Sequence, residues 1–200
     1  MTKALFFDID GTLVSFETHA IPASTIEALT IAHEKGIKIF IATGRPKAII
    51  NNLADIQDRG LIDGYITMNG AYCFVGDEVI YKSAIPAGEV RALAQVCEQK
   101  GYPCIFVGEH TISVCQPNKL VHDIFYDFLH VDEIPVKTFE EAVQEEIFQM
   151  TPFVTVEEET EIQPQIPNCE SGRWFPAFAD ITAKGNTTQK GIDEIIARFG

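Results

Sequence analysis

Ala4-Leu5-Phe6-Phe7-Asp8-Ile9-Asp10-Gly11-Thr12-Leu13 is the stretch that decides how this chain is read. Ala4 to Phe7 are apolar and fit a short buried strand, which delivers two carboxylates to its carboxyl end. In an open parallel sheet ligands bind outside that end, so two acids placed there and followed at once by a turn glycine point to chemistry. Residues two apart on a continuing strand would share a face, but Gly11 lets the chain turn. Asp8 and Asp10 can then reach a common point from opposite sides. A lone D-x-D reads most simply as solvated acids at a strand end; the Gly-Thr-Leu that follows reverses that balance.

Working outward, Pro22 opens a helix in which Ser24 and Glu27 have capping-box spacing, Ile26, Leu29, Ala32 and His33 share an inward face, and Gly36 is the stop. A strand over Ile37 to Ala42 follows after a short turn, so a strand-helix-strand unit with two parallel strands is expected. Its carboxyl end carries Thr43-Gly44-Arg45-Pro46, and the pattern predicts a helix from Ala48 to Ile56. A third strand, Tyr65 to Met68, ends at Asn69-Gly70-Ala71. Tyr72 to Val75 and Val79 to Tyr81 then flank Gly76-Asp77-Glu78 as an antiparallel hairpin.

From Ile85 the chain is expected to leave the first sheet for a second unit. The sequence predicts helices at 88–100, 118–130, 139–145 and 157–163, with strands near 103–107, 111–115, 147–151, 172–175 and 178–182, which make an α+β module with an antiparallel sheet. After Thr182 comes Ala183-Lys184-Gly185-Asn186-Thr187-Thr188-Gln189-Lys190-Gly191, then a helix over Ile192 to Phe199. The second unit therefore reads as inserted. Residues 1–82 and 183–200 are assigned to one domain, and 83–182 to the insert.

The chain has 200 residues and a formal net charge of −14, which argues against nucleic-acid or anionic-membrane surfaces, since both need clustered cations. An acidic protein can still hold a phosphate with a few local cations and backbone N–H groups. Asp8 and Asp10 interrupt the only apolar run near the start, so a signal peptide is not expected, and no stretch approaches membrane-spanning length. Five cysteines without a C-x-x-C pair fit reduced thiols in a cytoplasmic protein, with Cys97 in the core.

Three separated stretches, D-x-D-G-T at Asp8 to Thr12, T-G-R at Thr43 to Arg45 and Lys190-Gly191 after the insert, resemble the signature of the haloacid dehalogenase-like phosphatases. The insert resembles the type IIB cap of the Cof-like sugar phosphatases, and the chain as a whole is most similar to their hexose-phosphate phosphatases. The resemblance implies an α/β protein with a Rossmann-like parallel-sheet core and a mobile α+β cap that selects the alcohol. It also implies a Mg²⁺-dependent phosphomonoesterase acting on a small-molecule phosphate ester, as a monomer. Asp8 is then the nucleophile that forms an aspartyl phosphate, and Asp10 the acid and base; both supply metal ligands, Asp10 through its backbone carbonyl. Thr43, Gly44, Arg45 and Lys190 are the phosphate-binding candidates.

Alternatives stay open for several of these. Thr43 is also a candidate helix cap, Arg45 suits phosphate or the cap equally, Asn69 either lines the pocket or caps its loop, and Lys184 rivals Lys190 because it too precedes glycine. In the insert, Trp174 beside Arg173, with Asp180 on the next strand, suits a sugar ring, although a core role for Trp174 fits as well. A phosphomutase shares the same aspartyl-phosphate chemistry, and a non-catalytic phosphate-binding module is a third reading. The family has a fourth, acidic motif that would follow Gly200, and the first strand would form an apolar edge without the strands that accompany that motif. A longer native enzyme is therefore expected.

Overall fold

The computed structural model describes residues 3–199. It divides into two compact units, the first running to Lys82 and resuming at Thr187, the second spanning Ser83–Asn186. Residues 183–186 belong to the second unit, whereas the sequence reading placed them in the first; the final strand of the second unit continues through Ala183 before the chain returns.

The first unit is built on β1 (Lys3–Phe7), β2 (Ile37–Ala42), β3 (Gly64–Thr67), β4 (Tyr72–Val75) and β5 (Glu78–Lys82), which lie side by side in that order. β1, β2 and β3 are parallel, while β4 and β5 form the antiparallel hairpin around Gly76-Asp77. Alternation along β2 explains the layering. Ile39 and Ile41 pack with Leu29 of α1 (Ala23–Glu34), and with Leu53 and Ile56 at α2 (Ala54–Gln57). Phe40 and Ala42 point the other way and pack with Ile66, Cys73 and Ile195, the last of these on the chain's final helix, Thr188–Phe199. Helices thus cover both faces of the sheet, as βαβ connections require. β1 lies at the edge, with Leu5 40% exposed, and among the described residues nothing pairs with its free side.

Two local expectations fail here. Ser24 and Glu27 form no capping box, because Pro22 is the N-cap and Ser24 already lies inside the helix, past the position from which it could cap. The helix expected over 48–56 is instead a single 3₁₀ turn, Lys47–Ile49, followed after a break by the four-residue α2. The Arg45 guanidinium takes the Ile49 carbonyl at 3.1 Å, and an α-helix would have needed that carbonyl for its own ladder.

The second unit carries α3 (Ala87–Lys100), β6 (Cys104–Gly108), β7 (Ile112–Cys115), and α4 (Lys119–Val121) running straight into a π-helical stretch, His122–Phe128. It continues with α5 (Phe139–Ala142), β8 (Ile147–Pro152), α6 (Val156–Ile162), β9 (Cys169–Phe175) and β10 (Phe178–Ala183). Its sheet is antiparallel throughout, ordered β7-β6-β8-β10-β9. Val90, Leu93, Ala94 and Cys97 of α3 bury one face against Phe106, Met150 and Ile181. The other face carries the aromatic cluster Phe125, Phe153 and Phe178. All five cysteines are buried free thiols. The chain then re-enters the first unit and ends its described course in α7 (Thr188–Phe199). Among the described residues, no helix is long and apolar enough to cross a membrane.

Candidate active site

Because β1, β2 and β3 are parallel, the segments that follow them, Asp8-Ile9-Asp10, Thr43-Gly44-Arg45 and Met68-Asn69-Gly70, emerge at one edge of the sheet. The first of these is a tight turn. Val14 N–H donates to the Ile9 carbonyl at 2.9 Å and Gly11 N–H to the Val14 carbonyl at 2.9 Å, with Gly11 at φ +77°. Ile9 and Leu13 are buried beneath it and anchor the turn, while Asp8, which precedes Ile9, is exposed and Asp10, between the two, is half-buried.

Asp10 is held at both carboxylate oxygens by Arg45, with Nε donating to Oδ2 at 2.8 Å and Nη2 to Oδ1 at 2.8 Å. Asp8 stays open to solvent, but its pKa is raised above the ordinary carboxylate value. Partial burial is the main cause and the Asp10 carboxylate adds to it; a backbone hydrogen bond from Ile9 and the Arg45 charge act the other way. Thr43 is buried, and its Oγ1 accepts from the Arg45 backbone N–H at 3.1 Å. The hydroxyl therefore shapes the Thr43–Arg45 turn, while the residue at the N-cap of the next turn is Pro46.

Gly44 sits against Asn69, where an added Cβ would lie 3.1 Å from Asn69 Oδ1. Asn69 is in the left-handed region at φ +54°, and its N–H donates to the Thr43 carbonyl at 3.3 Å. The segments after β2 and β3 are thus locked together. Gly70 continues the chain of contacts to the start of α7, since a Cβ there would lie 2.1 Å from the Thr187 carbonyl oxygen.

α7 carries Lys190 in its first turn, with the Lys190 N–H on Thr187 Oγ1 at 3.0 Å. The ammonium pairs with Glu194 at 2.6 Å and lies 5.4 Å from the Tyr81 ring centroid; the Glu194 hydrogen bond is the main reason its pKa is raised. Lys184, its rival, falls in the second unit, its N–H bonded to the Asn168 carbonyl. The Glu194 partner was readable from i,i+4 spacing on a helix and was missed. The Arg45–Asp10 pair had no local signal, because its members are 35 residues apart.

The second unit does not support the expectation that Asp180 and Arg173 offer hydrogen-bonding groups to a sugar ring. Asp180 is 3% exposed, accepting from Thr151 Oγ1 at 2.7 Å and from Trp174 Nε1 at 3.0 Å. Arg173 is committed to Glu159 and to the Val154 and Pro176 carbonyls. Trp174 remains 39% exposed, its ring packed edge-on against Phe178.

The first unit is thus a parallel α/β core with Asp8 and Asp10 after β1, the Thr43-Gly44 turn after β2 and Lys190 at the start of α7. A family model for haloacid dehalogenase-like hydrolases matches residues 5–200, and the chain belongs to that family. The HAD subclass IIB sugar phosphatase BT4131 is 75% identical in structure-based comparison, with a TM-score of 0.96 over 100% of this chain and 76% of that one. BT1666 from Bacteroides thetaiotaomicron, a phosphatase of the same superfamily, is 31% identical with a TM-score of 0.84, over 100% of this chain and 73% of that one. YkrA of Bacillus subtilis (strain 168) is 28% identical over 203 residues, 99% of this chain and 75% of that relative. The chain is a subclass IIB phosphatase and shares the superfamily's phosphoryl-transfer chemistry.

Proposed function

We propose that this chain is a Mg²⁺-dependent phosphomonoesterase of the cytoplasm that hydrolyses sugar phosphates, hexose phosphates first, with Asp8 as nucleophile and Asp10 as acid and base. The observation that carries the assignment is the turn itself, in which Asp8 is open to solvent and Asp10, two residues on, is fixed by Arg45.

A phosphate ester resists attack because its own negative oxygens repel a nucleophile, so the site must neutralise charge and align the reactants. In this reading an Asp8 carboxylate oxygen forms a bond to phosphorus as the bond to the sugar oxygen breaks. Asp10 gives its proton to that departing oxygen, then takes one from the water that hydrolyses the aspartyl phosphate. The Gly44 N–H, the Thr43 turn and Lys190 make up the phosphate cradle; Lys190 reaches the phosphoryl group by exchanging its solvent-exposed, weak pair with Glu194.

The donor set suits a hard divalent cation, since it offers oxygens and no thiol or imidazole. With the Asp10 side chain taken by Arg45, its backbone carbonyl, which lies outside the bonded turn, is the Asp10 oxygen left for Mg²⁺, alongside an Asp8 carboxylate oxygen. Bound there, Mg²⁺ supplies positive charge that offsets the repulsion between carboxylate and phosphate.

Asp8→Asn and Asp10→Asn, assayed by phosphate release from hexose phosphates with circular dichroism as a control, test the roles. Asp8→Asn should remove turnover and Asp10→Asn should lower it by about 10²-fold or more, both with the fold intact. Near-normal rates in either variant reject its role, and preference for a nucleotide or a phosphoprotein rejects the substrate class.

A further inference from the structure

Arg45 is almost fully buried, with its side chain 5% exposed, which for an arginine demands partners. Three of its N–H groups are already engaged, two by Asp10 at 2.8 Å and 2.8 Å and one by the Ile49 carbonyl at 3.1 Å. The Asp10 contacts form a planar fork on a planar carboxylate, which fixes the carboxylate's orientation as well as its position. The backbone beneath is held too, with Arg45 N–H on Thr43 Oγ1 at 3.1 Å and the Arg45 carbonyl accepting from Met68 N–H at 3.3 Å.

We propose that Arg45 is a positioning residue for Asp10 rather than a phosphate ligand. The inference rests on the phosphatase reading above and adds a role to it. In the first step the Asp8 oxygen bonds to phosphorus, the bond from phosphorus to the alcohol oxygen breaks with its electron pair left on that oxygen, and the Asp10 proton moves there. One of the two Arg45–Asp10 bonds opens so that an Asp10 oxygen can carry the proton, and the other keeps the carboxyl group aimed.

Leaving-group chemistry separates positioning from phosphate binding. The ratio kcat/KM reports steps up to formation of the aspartyl phosphate, and p-nitrophenolate leaves without a proton whereas a sugar alkoxide needs one. In Arg45→Met, kcat/KM for glucose 6-phosphate should fall about 100-fold and that for p-nitrophenyl phosphate less than about fivefold, while calorimetric affinity for inorganic phosphate stays within about threefold. Asp10→Asn should show the same selectivity, and the double variant should lose little more than either single one. Arg45→Lys keeps the charge but not the fork, so it covers the case in which the methionine variant does not fold, and it should show the same pattern. Equal losses on both esters, together with phosphate affinity weakened about tenfold or more, would overturn the assignment and make Arg45 a phosphate ligand. Absence of phosphate release from either ester by the unsubstituted full-length enzyme would instead remove the phosphatase reading, and this inference with it.

Discussion

Asp180 shows what a single buried carboxylate does to this protein. Packed out of contact with water, its acid is pushed up from 3.8 to about 6, even though Thr151, Trp174 and Gln149 hydrogen-bond to it and pull the other way. A raised carboxylate pKa means that the folded chain holds the proton more tightly than the unfolded one. The contribution to stability is therefore greatest below 3.8 and is lost as pH rises from 3.8 to about 6, by about 3 kcal/mol in all. Asp180→Asn cannot ionise, and its amide can accept from Trp174 while the Thr151 hydroxyl turns to accept in return. Its melting temperature relative to the unsubstituted chain should rise between about pH 4 and about pH 7; parallel melting curves across that range would contradict it. From the sequence Asp180 was legible as a polar residue on a strand, but its burial was not, because the aromatic cluster on that face draws Phe125 and Phe153, distant in the chain, onto Phe178 of the same strand.

At the scale of elements, the strands and the hairpin were readable because their signals are local: alternating or continuous apolar runs bounded by glycine. Thr138 with Glu141 and Thr155 with Glu158 form true capping boxes, whereas Ser24 with Glu27, of the same spacing, does not, and the difference lies in where Pro22 starts the helix. The break in the expected 48–56 helix was not readable, since it depends on a side chain that also grips an acid 35 residues away. The return of the chain through α7 is equally non-local. Gly70, at φ +95°, and Gly191, where a Cβ would lie 2.5 Å from Ile66 Cγ2, let that helix approach β3 and the turn after it. In Gly70→Ala the new methyl meets a backbone oxygen that no rotamer can move away, and the positive φ adds strain. A loss of about 2–4 kcal/mol in denaturant unfolding is expected, and a loss below about 1 kcal/mol would mean that α7 is not held against this turn.

For the whole molecule the governing quantity is charge. A net −14 repels any anionic substrate, and the cations assigned to the site do little to offset it at long range, because Arg45 is paired with Asp10 and Lys190 with Glu194. At about 10 mM salt the screening length is about 30 Å, so a phosphate ester approaches against the field of much of the protein; at about 150 mM it is about 8 Å, and only local groups are felt. Encounter with a dianion should therefore speed up as salt is added, the reverse of electrostatic steering. The effect scales with substrate charge, so kcat/KM for a hexose bisphosphate should rise more steeply than kcat/KM for a hexose monophosphate between those two ionic strengths, with Mg²⁺ held saturating and its concentration constant. Inert potassium chloride serves as the salt, since phosphate or sulfate would compete at the site itself. If kcat/KM falls with salt for both esters, a local positive field dominates the approach, and the acidic surface has no part in excluding highly charged substrates. If it rises equally for both, the repulsion acts on the protein rather than on the encounter, and melting temperatures in the same salt series should rise with it.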